Sequence, residues 1–265
     1  MASFEGQDNP QMSPARSTSG APISSIGRGI AVLGCFTARN RSLTLSELSA
    51  KSKLPMSSTH RVVAELVAGG FLVRGHDKRY RIGTRLWSIA QLAPVSEQLR
   101  ERALPTLARL YEETGENVTL AVLDRGQALY VDRLVGERSV PIVSRSGGHL
   151  PLHTTGVGKV LLAYQSQEAI AKYLTQPLQR PTPHSIADPA KLEQELIEIR
   201  QQGYSVARQE MTMGSGSVAV PILRNNRAIA AVGIVSHLNR LEVSRLVAIL
   251  QQAANTIAHE LEDHH

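Results

Sequence analysis

Over its first third the chain shows apolar positions at helical spacing, then a switch to strand alternation. Ile26, Ile30, Leu33 and the pair Cys35 and Phe36 predict a helix capped by Ser25 and running to about Thr37. A second helix opens with a capping box, Thr44 at the N-cap and Glu47 three residues on, and turns Leu45 and Leu48 inward. After a turn at Lys51 to Leu54, Pro55 suits the first position of a third helix. Its buried stripe is Thr59, Val62, Val63 and Leu66, and Gly69 and Gly70 end it. Phe71 to Arg74 and Arg79 to Ile82, turning at His76 to Lys78, predict a hairpin. Short helices joined by a tight turn and followed by a ribbon are the pattern of a winged helix-turn-helix, assigned to residues 24–83.

Beyond it, Leu86, Trp87, Ile89 and Ala90 make residues 84–93 too apolar for a free linker. A linker helix within 84–95 serves either a dimer contact or packing onto its own domain. Helices are then predicted at Leu99 to Thr114, bent at Pro105, at Thr155 to Tyr164, Gln167 to Leu174, Pro189 to Gln202 and Glu242 to Glu262. Strands are predicted at Val118 to Leu123, Ala128 to Leu134, Val140 to Val143, Tyr204 to Arg208, Ser217 to Leu223 and Ala228 to Ser236, with a hairpin turn at Asp124 to Gln127. Strands in runs with helices between them give an α+β sensor domain on an antiparallel sheet, residues 96–265. Residues 1–23, rich in Ser, Pro and Gly, bury too little apolar surface to repay ordering and read as a disordered tail.

Charge separates the two parts. Residues 24–94 hold 11 Lys and Arg against 3 Asp and Glu, whereas residues 1–23 and 95–265 are each at −1 within a chain of net +6. A basic charge confined to one small domain is the electrostatic footprint of DNA binding. On the third helix Ser57, Ser58, His60 and Arg61 stay outside the apolar stripe, near the end that enters a major groove in this motif. Hydroxyls reach phosphates or base edges, and an arginine can grip guanine bidentately. Simple capping and solvation is the alternative for Ser57 and Ser58. Arg28 on the first helix and Arg74, Lys78 and Arg79 on the ribbon complete the candidate contacts, the ribbon supplying phosphate contacts that position without reading sequence.

Catalytic and cofactor chemistry finds little support. A P-loop ending at Gly158 and Lys159 would need Gly at 153 and Ser or Thr at 160, where the chain has His153 and Val160. Met213 to Val218 lacks the G-x-S-x-G order of a nucleophile elbow. His149 and His153 are separated by Leu150, Pro151 and Leu152 and do not share a continuous helix, so no metal site is expected. The single cysteine, Cys35, reads as core packing. No apolar run reaches the roughly 20 residues of a membrane span and no export signal is visible, so a cytoplasmic protein is expected. The strongest pocket candidate is Gly156 to Lys159, where a glycine-containing turn opens a helix whose free amides favour an anion.

Three segments in register, LTLSELSAKSKLPMSSTHRVVAELV with its YRIGTRLW exit, LPLHTTGVGKVLLA and GYSVARQEMTMGSGSVAVPI, resemble the IclR family of bacterial transcription regulators. The resemblance runs from about Ser24 to Ala258 and implies a winged helix-turn-helix, a linker helix and a C-terminal GAF-like domain that binds a small effector. Because one head reads only a half-site, a homodimer or dimer of dimers on a palindromic operator of double-stranded DNA is expected, and the lack of a cofactor loop or metal set leads to the expectation of neither. By similarity, effector positions fall on Leu150, Gly156, Val157, Ser217 and Ser236. Ala207 and Ile234 stand where family members that sense small oxo-acids carry an aspartate and a hydroxyl. The resemblance therefore implies a less polar pocket and a larger, aromatic acid or derivative, rather than glyoxylate or pyruvate. An enzyme with an appended DNA head and a ligand-insensitive architectural DNA binder are the competing readings.

Overall fold

The computed structural model describes residues 23–37, 40–93, 99–136 and 143–262. Apart from Ile23, the expected disordered tail lies outside the described residues, as does the expected strand at Val140 to Val143 except for Val143, an exposed bend. The chain divides into two compact units, one ending at Gln91 and the other beginning at Leu92.

The first unit is built from α1 (Ser25–Leu33), α2 (Leu45–Ser52), α3 (Met56–Ala68), β1 (Leu72–Arg74), β2 (Tyr80–Ile82) and α4 (Thr84–Gln91). The cap of α1 is Ser24, one residue earlier than its sequence predicts, and its side chain accepts from the Gly27 amide. The helix stops at Leu33 rather than Thr37, with Gly34 at its C-cap donating its amide to the Ile30 carbonyl. On α2 the capping box forms: the Glu47 amide donates to Thr44 Oγ1 at 3.2 Å, and the Thr44 amide to Glu47 Oε2 at 2.7 Å. Lys53 then takes a left-handed conformation, φ 56°, that turns the chain into α3. Pro55 sits at the N-cap of α3 rather than at its first helical position. Val32, Leu43, Leu48, Val62, Val63 and Leu72 form the core beneath these helices.

Glu47 also ties the box to the hairpin, since Arg79 Nη2 reaches Glu47 Oε2 at 2.8 Å. Thr44→Ala removes the cap and is expected to lower the stability of this unit by about 1 kcal/mol in urea unfolding. An unchanged midpoint would mean that Glu47 and Arg79 hold the turn without the threonine.

The second unit contains α5 (Glu101–Thr114), β3 (Asn117–Asp124), β4 (Gln127–Leu134), β5 (His149–Pro151), α6 (Gly156–Ala163), α7 (Gln167–Leu174), α8 (Pro189–Gln202), β6 (Ser205–Arg208), β7 (Ser215–Arg224), β8 (Arg227–His237) and α9 (Val243–Glu262). All strand pairs are antiparallel, in the order β5-β4-β3-β8-β7-β6. Arg125 and Gly126, both at positive φ, make the two-residue turn between β3 and β4, a conformation matched to the strand twist. α5 continues through Pro105.

Strand alternation divides the sheet into two faces. Val118, Leu120, Val220, Ile222, Val232 and Ile234 pack with α5 and α9. Ala121, Ala219 and Ala231 face the opposite side, where Val157, Val160 and Leu161 of α6 and Leu192 and Leu196 of α8 close on them. Small residues on this second face let α6 lie close to the sheet: a Cβ on Gly233 would stand 3.0 Å from Val157 Cγ1.

Candidate functional site

In the first unit, the end of α3 that follows the turn carries the candidate DNA contacts. Ser57, His60 and Arg61 are exposed and Ser58 is half-buried. Thr59 between them is fully buried, its hydroxyl donating to the Pro55 carbonyl at 3.1 Å, so the four neighbours are held outward by the buried stripe. On the hairpin, Arg74 is exposed with its guanidinium 5.8 Å from the Tyr80 ring centroid, and Lys78 is exposed at the turn.

Arg79 differs from the expectation of a phosphate contact. Its Nε and Nη2 donate to Ser42 at 3.0 and 2.8 Å, and Nη2 also meets Glu47, so its donors are turned onto the helical core. Arg81 is likewise held by Asp77, through Nη2 to Oδ2 at 2.5 Å and Nη1 to Oδ1 at 3.1 Å. That arginine pulls the Asp77 carboxyl down to about 2, so the pair is ionised at neutral pH. Arg28 is half-buried, its Nε donating to the Ile23 carbonyl at 3.0 Å.

The second unit holds a cavity on the α6 side of the sheet. Its floor is Thr119, Ser217, Ala219, Gly233 and Val235; its walls are Tyr130, Ser144, Leu150, Thr154 to Val157, Ala207 and the loop from Gln209 to Thr212. Thr155 caps α6 by accepting the Gly158 amide at 3.2 Å, leaving the Gly156 and Val157 amides at the positive helix end on the cavity wall. Gly156 favours this approach, because a Cβ there would stand 2.8 Å from Ser217 Oγ, which would have to turn aside. The chain can offer a carboxylate two amides and the Ser217 hydroxyl, and an apolar body the surfaces of Val143, Leu150, Val157, Ala207 and Val235.

Five of the seven sequence-predicted effector positions meet there: Leu150, Gly156, Val157, Ala207 and Ser217. Ile234 and Ser236 do not. Ile234 belongs to the core beneath α5 and α9. By alternation Ser236 shares its face, and it is fully buried with Oγ donating to the His237 carbonyl at 3.3 Å. A shift of one residue on β8 exchanges the faces, and the cavity positions are Gly233 and Val235. The signal was in the sequence, since a glycine inside a strand marks a close approach of another element.

Glu210 was also missed. It borders the cavity, and its Oε1 accepts from buried Lys159 Nζ at 2.7 Å and from the Arg208 amide at 3.3 Å. Burial pushes the Glu210 carboxyl above the usual range against the opposing pull of Lys159. Lys159 also meets Glu195 at 2.8 Å, which ties α6 to α8 and to the loop that carries Glu210. Ser185 Oγ donates to the Glu210 carbonyl at 2.6 Å and pins that loop from outside.

The two histidines have structural partners. His149 Nε2 lies 2.7 Å from Asp124 Oδ2. His153 is buried between the Tyr173 hydroxyl at 2.7 Å and the Gln179 carbonyl at 2.8 Å, and burial lowers its pKa, keeping the ring neutral.

Residues 25–76 match the IclR helix-turn-helix domain, and residues 92–259 match the C-terminal domain of IclR bacterial transcriptional regulators. The transcriptional repressor IclR of Escherichia coli is 30% identical over 243 residues, covering 89% of each chain. The Pca regulon regulatory protein of Pseudomonas putida is 28% identical over 246 residues, 90% of this chain and 84% of that one. The crystal structure of an IclR homolog from Microbacterium hydrocarbonoxydans, complexed with 4-hydroxybenzoate, superposes with a TM-score of 0.86 at 34% identity, covering 90% of this chain and 99% of that one. The two curated relatives are regulators of transcription, not enzymes. With a helix-turn-helix in one unit, a cavity in the other and both parts matched in order, the chain belongs to the IclR family and is a DNA-binding transcriptional regulator.

Proposed function

We propose that this regulator represses a catabolic operon from the cytoplasm, and that a small aromatic acid or a derivative, bound in the cavity of residues 96–265, sets its affinity for a palindromic operator. The observation that carries the ligand class is the cavity's composition. An anion-favouring helix end stands at one wall, and Val143, Leu150, Val157, Ala207 and Val235 give a ring an apolar surface among the hydroxyls of Thr119, Ser144 and Ser217, a mixed lining that suits an aromatic acid. The 4-hydroxybenzoate complex of the Microbacterium relative supports the same class. Effector control then amounts to a difference in effector affinity between two arrangements of the protein.

The DNA-reading unit, residues 24–83 with the linker helix in 84–95, acts as a homodimer or dimer of dimers, since one head reads only a half-site. Ile26 and Ile30 on α1, 77% and 66% exposed, and Trp87 on α4, 64% exposed, are apolar surface that a second copy would cover. Arg28, Ser57, Ser58, His60, Arg61, Arg74 and Lys78 meet the duplex, with Arg79 acting through the fold of the hairpin.

Calorimetric titration with benzoate and 4-hydroxybenzoate against glyoxylate and pyruvate tests the ligand class. The aromatic acids are expected to bind more tightly, and tighter binding of the oxo-acids would overturn the reading. Arg61→Ala is expected to weaken specific operator binding by about 1 to 3 kcal/mol while random DNA loses less. Equal losses on both, measured by fluorescence anisotropy at one salt concentration, would make Arg61 a phosphate contact instead.

A further inference from the structure

The cluster at Lys159 is unbalanced. One fully buried ammonium faces two carboxylates, Glu210 Oε1 at 2.7 Å and Glu195 Oε1 at 2.8 Å. Both second oxygens, Glu210 Oε2 and Glu195 Oε2, are buried with no hydrogen-bond partner among the described residues. Leaving such an oxygen without a donor is costly.

The two acids are not equivalent. The Glu195 side chain is 22% exposed on α8, away from the cavity, whereas the Glu210 side chain is 8% exposed and borders it. Glu210 Oε1 already takes Lys159 and the Arg208 amide, so an occupant of the cavity is left to satisfy Oε2.

We propose that Glu210 reads a hydrogen-bond donor on the effector, selecting aromatic acids that carry a ring hydroxyl or amino group over those that do not. The inference rests on the cavity being the effector site. The effector carboxylate lies at the Gly156 and Val157 amides, and its ring donor completes the Glu210 carboxylate. Lys159 is a positioning residue, holding Glu210 against α6 so that the acceptor and the anion-favouring amides stand on one rigid wall.

The test is calorimetry at pH 7 on the full chain, wild type, Glu210→Gln and Glu195→Gln, with 3- and 4-hydroxybenzoate against 3- and 4-fluorobenzoate. Fluorine nearly preserves the shape of the ring and donates nothing. The wild type is expected to prefer the better hydroxy isomer over its fluoro counterpart by roughly 10- to 100-fold, as for loss of one hydrogen bond to a charged group. Glu195→Gln keeps that preference, and Glu210→Gln reduces it to about threefold or less, chiefly through weaker hydroxybenzoate binding. Two results overturn the proposal: a full preference in Glu210→Gln, or none in a wild type that binds both classes. A wild type that binds none of the four acids contradicts the aromatic-acid reading itself, and the inference falls with it. Should Glu210→Gln lose its near-ultraviolet circular dichroism, a crystal structure of the wild type with the better hydroxybenzoate decides. A hydroxyl within about 3.2 Å of a Glu210 carboxylate oxygen upholds the proposal, and one bound elsewhere overturns it.

Discussion

Lys159→Met is expected to destabilise the effector-binding unit by about 3 to 5 kcal/mol, enough to unfold a marginal domain at moderate temperature. The methionine fills the space but leaves Glu210 buried and Glu195 half-buried without their cation. A buried carboxyl avoids that cost by keeping its proton, and burial already raises the Glu210 pKa with Lys159 in place. In the variant the folded-state pKa rises further above its unfolded value. The penalty is therefore full above the folded pKa and shrinks as pH falls through it, so urea unfolding should show the deficit narrowing toward acid. Adding Glu210→Gln to Lys159→Met should recover part of the loss at neutral pH. A deficit below about 1 kcal/mol, or one independent of pH, would show that the ion cluster does not hold α6 in solution.

The second large effect concerns the response to ligand. Gly156→Val is expected to abolish the change in operator affinity on adding effector, with operator binding itself persisting because the helix-turn-helix and its proposed DNA contacts belong to the separate unit that ends at Gln91. A Cβ at Gly156 meets Ser217 Oγ at 2.8 Å and both Ala219 Cβ and Ser205 Oγ at 3.4 Å. An alanine there can be admitted by turning Ser217 aside, whereas the branched valine must also push α6 off the sheet and carry its amides away from the cavity. Gly156→Ala should therefore weaken the response and Gly156→Val remove it, read as the effector-dependent shift in an anisotropy titration. A Gly156→Val protein with the wild-type response would move the site away from the end of α6.

Much of this was legible in the sequence because it depends on local chemistry. The Thr44 and Glu47 box, the glycine-ended α3 and the Arg125 and Gly126 turn are each specified by a few neighbouring residues. Of the pocket candidate Gly156 to Lys159, Gly156 and Val157 line the cavity and Gly158 and Lys159 do not, while Leu150, Ala207 and Ser217 were legible through the family resemblance. It failed on β8, where long apolar alternation hides which face is which. There the motif was placed one residue late, on Ile234 and Ser236 instead of Gly233 and Val235. The correction removes the Ser236 hydroxyl from the cavity, since neither Gly233 nor Val235 carries one. Strand β5 was missed because three residues ending at Pro151 show no periodicity. Glu210 and Arg79 were beyond sequence patterns for a different reason: their partners stand 51 and 32 residues away in the chain. Charge counting put Arg79 among the groups facing DNA, and only the fold turns it inward onto Ser42 and Glu47.

Control of operator binding by an aromatic acid is tested most directly on a duplex selected from a random library by the protein itself. Binding would be followed by anisotropy at fixed salt while 4-hydroxybenzoate or a related aromatic acid is titrated in. A shift in the operator dissociation constant of at least about fivefold, saturating with the acid and lost in Gly156→Val, is the expected result. An operator affinity that no aromatic acid alters, but that glyoxylate or pyruvate shifts, would contradict it.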